Sequence, residues 1–151
     1  MPRLQKRIAE IRERVGQLEP ILKRQALLLA GLIDDSFQNS RSPTGEAWAP
    51  LAAATVAKRR LGSSKPLVDT AQLRMASTAR ADGSKIVFGT SGAPATYGVF
   101  HVTGTKNMPR RSYLPVSANG KPDFSSGPAA DWLKQTEERV VNYLNKGENQ
   151  R

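Results

Sequence analysis

The sequence predicts an α+β fold, in which a small antiparallel sheet packs with N-terminal helices and a C-terminal helix. Three observations carry this reading. Leu4, Ile8, Ile11, Val15 and Leu18 recur at spacings of four and three, the repeat of one helical face. The same repeat returns near the end in Trp132, Thr136, Val140 and Tyr143 or Leu144. Between them, two short runs flank Asp82-Gly83, a dipeptide suited to a tight hairpin turn whose central residues need positive φ.

Taken in order, the first stripe defines a helix with Glu10 and Arg14 one turn apart on its flank, an expected pair. Its apolar face is expected to pack on the chain's own core, with packing against a neighbouring subunit as the other reading. Pro20 suits the first turn of a new helix, which puts a break near Gly16–Glu19. The second helix then turns Ile21, Leu22, Ala26, Leu29, Leu32, Ile33 and Phe37 inward. Asn39 to Glu46 reads as a loop punctuated by Pro43 and Gly45. After Trp48, Pro50 is expected to open a short helix through Arg60, ended by Gly62-Ser63-Ser64. Asp69 or Thr70 is placed to cap another short helix around Leu73, its side-chain oxygen accepting from free amides.

Ser77 to Ala81 and Lys85 to Gly89 form the hairpin, which spans 77–89, with Ile86 and Phe88 on one face and Val87 on the other. Tyr97 to Thr103 has strand propensity, and Arg111 to Val116 reads as a third strand. Asn119 to Gly127 is a Gly/Pro/Ser loop. The last helix spans 128–146, with Asp131 near its start and Lys146 near its end, matching the helix dipole. Gly147 stops it, and Glu148 to Arg151 reads as a frayed tail. The expected organisation is one domain over 1–151: a helical part over 1–38, an α+β core over 39–116, and the helix over 128–146.

A domain of 151 residues buries roughly 70% of its unfolded surface, so its stability needs neither disulfide nor metal. With no cysteine, thiolate chemistry and zinc ribbons are excluded, and synthesis inside the cell is the expectation. The charged, amphipathic start lacks the apolar region of a signal peptide. The longest apolar stretch, Ala26 to Ile33, falls far short of the ~20 residues that cross a bilayer, so a soluble protein with no membrane partner is expected. The net charge of +10 is uneven: residues 1–60 hold 11 basic and 6 acidic side chains, 61–115 hold 7 and 2, and 116–151 hold 5 of each. Such a field serves solubility, and it favours an acidic partner, either nucleic acid or an acidic protein face.

The inventory for chemistry is thin. One histidine, His101, stands without a metal-ligand spacing around it, and its expected role is that of a hydrogen-bonded structural residue. Gly89-Thr90-Ser91-Gly92 lacks the spacing of a nucleophile elbow, and Gly104-Thr105-Lys106 lacks the Gly-Lys of a phosphate loop. Asp34 and Asp35 are adjacent on a helix and point about 100° apart, so they cannot share a substrate atom. No enzyme activity and no cofactor are expected. Lys58, Arg59 and Arg60, with Arg110 and Arg111, are candidate contacts to phosphate or an acidic partner, although no DNA-reading module accompanies them. Trp48 and Trp132 are expected to anchor core or interface.

Four motif blocks point further. Pro43, Gly45, Trp48, Pro50, Leu51, Thr55 and Arg59 make the first. Leu67, Asp69, Thr70 and Leu73 make the second; Tyr97, His101 and Gly104 the third; and Pro109, Arg110 or Arg111, Tyr113 and Leu114 the last. In this order and spacing, over roughly residues 20 to 116, they resemble the virion-morphogenesis (tail-completion) family of tailed bacteriophages. Ala71 stands where that pattern has glycine, Gly98 where it has alanine, and Val102 where glutamine is frequent. The resemblance implies a short helical turn at Tyr97–Gly104 in place of a strand. It implies Trp48 and Leu51 pinning their loop to the sheet, and a rigid edge for subunit contacts from the last two blocks.

It also implies a structural neck protein of the virion, assembled in the host cytoplasm as a closed homo-oligomeric ring, a hexamer matching the tail's symmetry. Such a ring completes the upper end of the tail, meets the tail terminator and head-tail connector proteins, and leaves a channel for DNA. The alternative reading is a basic DNA-binding accessory protein.

Overall fold

The structure, a computed structural model, describes residues 2–147, and the expected tail Glu148–Arg151 lies outside the described residues. In chain order the elements are α1 (Pro2–Val15), α2 (Glu19–Asn39), α3 (Ala53–Ala57), α4 (Gln72–Met75), β1 (Ser77–Asp82), β2 (Lys85–Thr90), α5 (Pro94–Thr103) and α6 (Gly127–Lys146). This is the expected α+β arrangement, with a two-stranded antiparallel sheet in place of a three-stranded one.

The long helix α2 forms the centre. Its stripe Ile21, Leu22, Ala26, Leu29, Ile33 and Phe37 is buried, with Leu32 at the margin. One side of α2 packs on β1 and another on α6. Leu29, Ile33 and Phe37 meet Trp48, Leu73, Ala79, Val102, Tyr113 and Val116 in one core. The Phe37 ring lies edge-on to Trp48 at 5.9 Å and tilted against Tyr113 at 5.1 Å. Edge and offset geometries of this kind suit the ring quadrupoles.

The α2–α6 seam is polar as well as apolar. Buried Gln25 accepts from Trp132 Nε1 at its backbone oxygen (3.0 Å) and from Thr136 at Oε1 (3.1 Å). Trp132 is thus half-buried and tied to α2, and it stacks at a tilt on Phe124.

In the hairpin, Ser77 pairs with Thr90 and Asp82 with Lys85, so the turn residues are Gly83 and Ser84, one position later than expected. Gly83 has φ 60, and Ser84 is not among the residues with positive φ, the pattern of a turn that needs glycine only at its first central position. Ile86 and Phe88 pack toward the core, and Val87 is exposed, as the alternation predicts.

Several expectations are corrected. Tyr97–Thr103 is not a strand: α5 starts at Pro94, buries Gly98 and Val102 one turn apart, and ends at Gly104 with φ 77. Burial of one helical face overrides the β-branched and aromatic propensity there. Arg111–Val116 adds no strand. The Arg111 amide donates to His101 O (2.8 Å), and Val116 bridges only to Pro122.

The helix expected from Pro50 to Arg60 is shorter, Ala53–Ala57, and starts late because the Ala49 and Pro50 carbonyls accept from Arg111 at 2.7 and 2.9 Å. Neither Asp69 nor Thr70 caps α4. Ala71 occupies the cap position with φ 60, and no side-chain cap bond forms. Asp34 pairs with Arg74, Nε to Oδ1 at 2.5 Å and Nη2 to Oδ2 at 2.8 Å, while Asp35 faces solvent.

The first helix departs most. None of its residues is buried, and Leu4, Ile8 and Val15 are 61%, 49% and 47% exposed. Glu10 pairs with Arg7 (3.5 Å), not with Arg14. Arg14 instead donates to Leu144 O (2.8 Å), and Arg7 to Asn145 O. The carbonyls at the end of α6 carry partial negative charge, which attracts both guanidiniums. Polar contacts thus hold α1 against the C-terminus of α6, while Leu4, Ile8 and Val15 of its apolar stripe stay exposed and Ile11 is half-buried.

Candidate functional site

The motif residues fall into two sets. The first builds a latch and a brace. The Pro43 carbonyl accepts from the Ala129 amide (2.9 Å), and the Thr44 carbonyl accepts from Ser126 Oγ (3.0 Å), so the loop holds the start of α6. Gly45, with φ 96, lies against Gly127. Trp48 Nε1 donates to Ser112 O at 2.9 Å, which joins the loop to the 111–116 segment, and its ring shares one core with Phe37 of α2 and Ala79 of β1.

Gly104 packs on the Arg110 backbone, where a Cβ would meet the Arg110 nitrogen at 3.2 Å. Arg110 donates to the carbonyls of Val102 and Val116 and pairs with Glu46 (2.9 Å). Leu114 is half-buried beside an apolar groove of about 470 Å³.

The second set lines one cavity of about 560 Å³. Pro50, Leu51, Thr55 and Arg59 come from around α3, and Asp69, Thr70 and Leu73 from α4 and the turn before it. Tyr97 and His101 come from α5, and Pro109 and Arg111 from the following segment. Residues far apart in the chain thus converge on one concave surface.

Arg59 is engaged with its own loop. Its Nη1 donates to the carbonyls of Ser63 (3.1 Å), Lys65 (2.5 Å) and Val68 (3.0 Å) and so shapes the loop leading to Asp69. Arg111 is only 6% exposed. Burial first, and then the neighbouring Arg59 charge, lower its pKa. Burial, and then Arg111, also lower that of His101, which favours the neutral imidazole. The Tyr97 and His101 rings meet edge-to-face at 6.5 Å. The expected hydrogen bond of the histidine ring does not form among the described residues: only the His101 backbone oxygen accepts, from the Arg111 amide, and Nδ1 is buried without a partner, as is Asp69 Oδ1.

Of the candidate phosphate contacts, Lys58 and Arg60 are exposed, while Arg59, Arg110 and Arg111 are engaged with backbone carbonyls. Among the described residues no group of three or more His, Cys, Asp or Glu side chains gathers to hold a metal. No described helix is long and apolar enough to cross a membrane.

The three departures from the motif pattern have local causes or consequences. Gly98 faces Tyr113, whose Oη would lie 2.4 Å from an added Cβ, so alanine does not fit. Val102 is buried in the core. Ala71 holds a left-handed φ of 60 that glycine adopts freely. Ala71→Gly is therefore expected to stabilise the fold by about 1 kcal/mol, the cost of a left-handed alanine partly offset by the freer unfolded chain. A urea midpoint that falls on substitution would contradict this.

Gly127 and Leu67 escaped the site reading. Gly127-Pro128 carried a turn signal in the sequence. Leu67, with φ 61, was placed in the second block but not at a strained position.

No curated protein and no solved structure matches the chain. A family model described as the phage virion morphogenesis family matches residues 1–125. The match reaches past residues 20–116 to include α1, and leaves α6 outside. It contains both the latch loop and every side chain of the cavity. Spanning 125 of 151 residues, it shows that the chain belongs to the phage virion morphogenesis family, a family of virion-assembly proteins.

Proposed function

We propose that the protein is a structural component of the phage neck that completes the upper end of the tail and mediates head-tail joining. It works as a closed homo-oligomeric ring around the DNA channel, a hexamer in register with the tail, and by shape instead of bond-making chemistry. The observation that carries this reading is α1, an amphipathic helix of 14 residues whose apolar stripe stays largely exposed among the described residues. Such a stripe at one end of a chain suits a heterologous contact with the next copy, and contacts of that kind close into rings when the rotation permits. The tail terminator and the head-tail connector are the neighbours this geometry serves, and the excess positive charge faces them or the passing duplex.

Native mass measurement or imaging of the purified protein tests the reading. A closed ring is expected without DNA, and Ile8→Asp is expected to leave monomers with little change in thermal stability, because Ile8 is half exposed and outside the core. A wild-type protein that stays monomeric at high concentration, alone and with tails lacking it, would end the proposal. The second reading, a DNA-binding accessory protein, rests on exposed Lys58 and Arg60 and the +10 charge. It requires steeply salt-dependent retention of monomers on DNA.

A further inference from the structure

The cavity lined by the motif residues has an unbalanced interior. Arg111 is almost wholly buried and its Nε and Nη2 are spent on the carbonyls of Ala49 and Pro50. Among the described residues, no carboxylate pairs with Arg111 or with Arg59. Two guanidiniums therefore face one carboxylate, Asp69, across a site where His101 favours its neutral form. Buried cations are ordinarily paired, because an uncompensated charge away from water is costly. Two of the residues that line it, His101 and Asp69, each carry a polar atom, Nδ1 and Oδ1, that is buried without a hydrogen-bond partner among the described residues. Leu51, Leu73, Tyr97 and Met108 supply apolar wall between them.

From this juxtaposition we infer that the cavity is a docking site for a segment of a neighbouring protein, which inserts a glutamate or aspartate side chain beside an apolar residue. The carboxylate balances the second guanidinium and accepts a hydrogen bond from His101 Nδ1–H as the lining side chains adjust to the segment. A backbone N–H of the same segment donates to Asp69 Oδ1. A protein segment brings acceptor and donor together. A nucleic-acid phosphate brings acceptors alone, which leaves Asp69 Oδ1 unsatisfied and sets it against like charge. The apolar wall likewise fits a side chain better than a sugar-phosphate backbone. The inference rests on the assembly reading only in taking the partner to be a protein. Ring formation and peptide binding are read separately, so a ring that binds no acidic peptide refutes this site and leaves the assembly standing.

The chain has a single histidine, so its imidazole signals in NMR report on the cavity without ambiguity. The probes are the blocked tripeptides acetyl-Leu-Glu-Leu-amide and acetyl-Leu-Gln-Leu-amide, acetyl-Leu-Leu with a free carboxylate terminus, inorganic phosphate and a short DNA duplex. The glutamate peptide is expected to shift the His101 signals saturably, with at least about tenfold tighter binding than the glutamine peptide, the scale of one charge-assisted hydrogen bond. It is also expected to raise the imidazole pKa back toward its ordinary value. Asp69→Asn removes the competing carboxylate and should tighten the glutamate peptide further. Arg111→Gln should erase the difference between the two peptides.

Equal binding of both peptides, weaker binding by Asp69→Asn, or displacement of the glutamate peptide by duplex or phosphate would overturn the inference. Preference for the free terminus over the side-chain carboxylate would overturn the assigned source. Asp69→Asn keeps the test open should Arg111→Gln fail to fold, because Asp69 Oδ1 holds no bond that asparagine would lose.

Discussion

Replacing Trp48 by alanine is expected to destabilise the protein by about 3–5 kcal/mol, the range for emptying a core site of a large aromatic ring. Trp48 is buried, lies edge-on to Phe37 at 5.9 Å, and donates from Nε1 to Ser112 O at 2.9 Å. Its removal leaves a void beside Phe37 and an unsatisfied carbonyl in a buried segment. In a chain of this size the loss corresponds to a fall in Tm on the order of 10 °C. Trp48→Phe separates the two contributions: it keeps much of the apolar surface and loses the donor, so its cost should be nearer ~1–2 kcal/mol. Thermal and denaturant melts of both variants measure this. An alanine variant that melts like the wild type would show that the indole is not an anchor.

The second large effect is expected at Gly127, where alanine should cost about 3 kcal/mol. The residue has φ 61, which carries roughly 1–2 kcal/mol for any residue with a Cβ. The new Cβ would also sit 2.5 Å from the Thr44 carbonyl carbon and oxygen and 2.8 Å from the Gly45 nitrogen. Those are backbone atoms that cannot swing aside, so overpacking adds roughly 1–3 kcal/mol. Relief requires lifting α6 from the loop, which breaks the Ala129–Pro43 and Ser126–Thr44 hydrogen bonds.

Gly120 is the matched control, with φ 77 and nothing within 4 Å of its added Cβ. Gly120→Ala should show the conformational cost alone. Equal losses at the two glycines would mean that the 43–45 loop and α6 do not press together as described.

Much of the architecture was legible because it follows from local periodicity. The stripe of α2, the hairpin over 77–89 and the helix over 128–146 need only side-chain spacing and turn chemistry to be read. The failures share a cause. Tyr97–Thr103 carries strand propensity, but which regular structure wins depends on what its face packs against, here Leu73 and Tyr113 on Gly98. The late start of the Pro50 helix was invisible because the competitor for its first carbonyls, Arg111, lies about sixty positions away. Glu10 and Arg14 made a plausible local pair until the end of α6 offered carbonyls to Arg14.

The site divides in the same way. The motif residues were legible as an ordered set, and membership in the phage virion morphogenesis family follows from that order. Their partition into a latch around α6 and a charged cavity was not legible, because hydrogen bonds to backbone carbonyls leave no mark in side-chain spacing. Arg59 and Arg111 read equally well as phosphate grips until their carbonyl partners are seen.

The sequence by itself determined the α+β class, the central helix, the hairpin and the family, since each rests on residue types at short or ordered spacings. Only the tertiary structure decided that α1 leaves most of its apolar stripe exposed and that Arg59, Asp69, His101 and Arg111 share one cavity. The physical reason is range: periodicity encodes which face of a segment is apolar, while what covers that face and which charges meet are set by contacts across the whole chain.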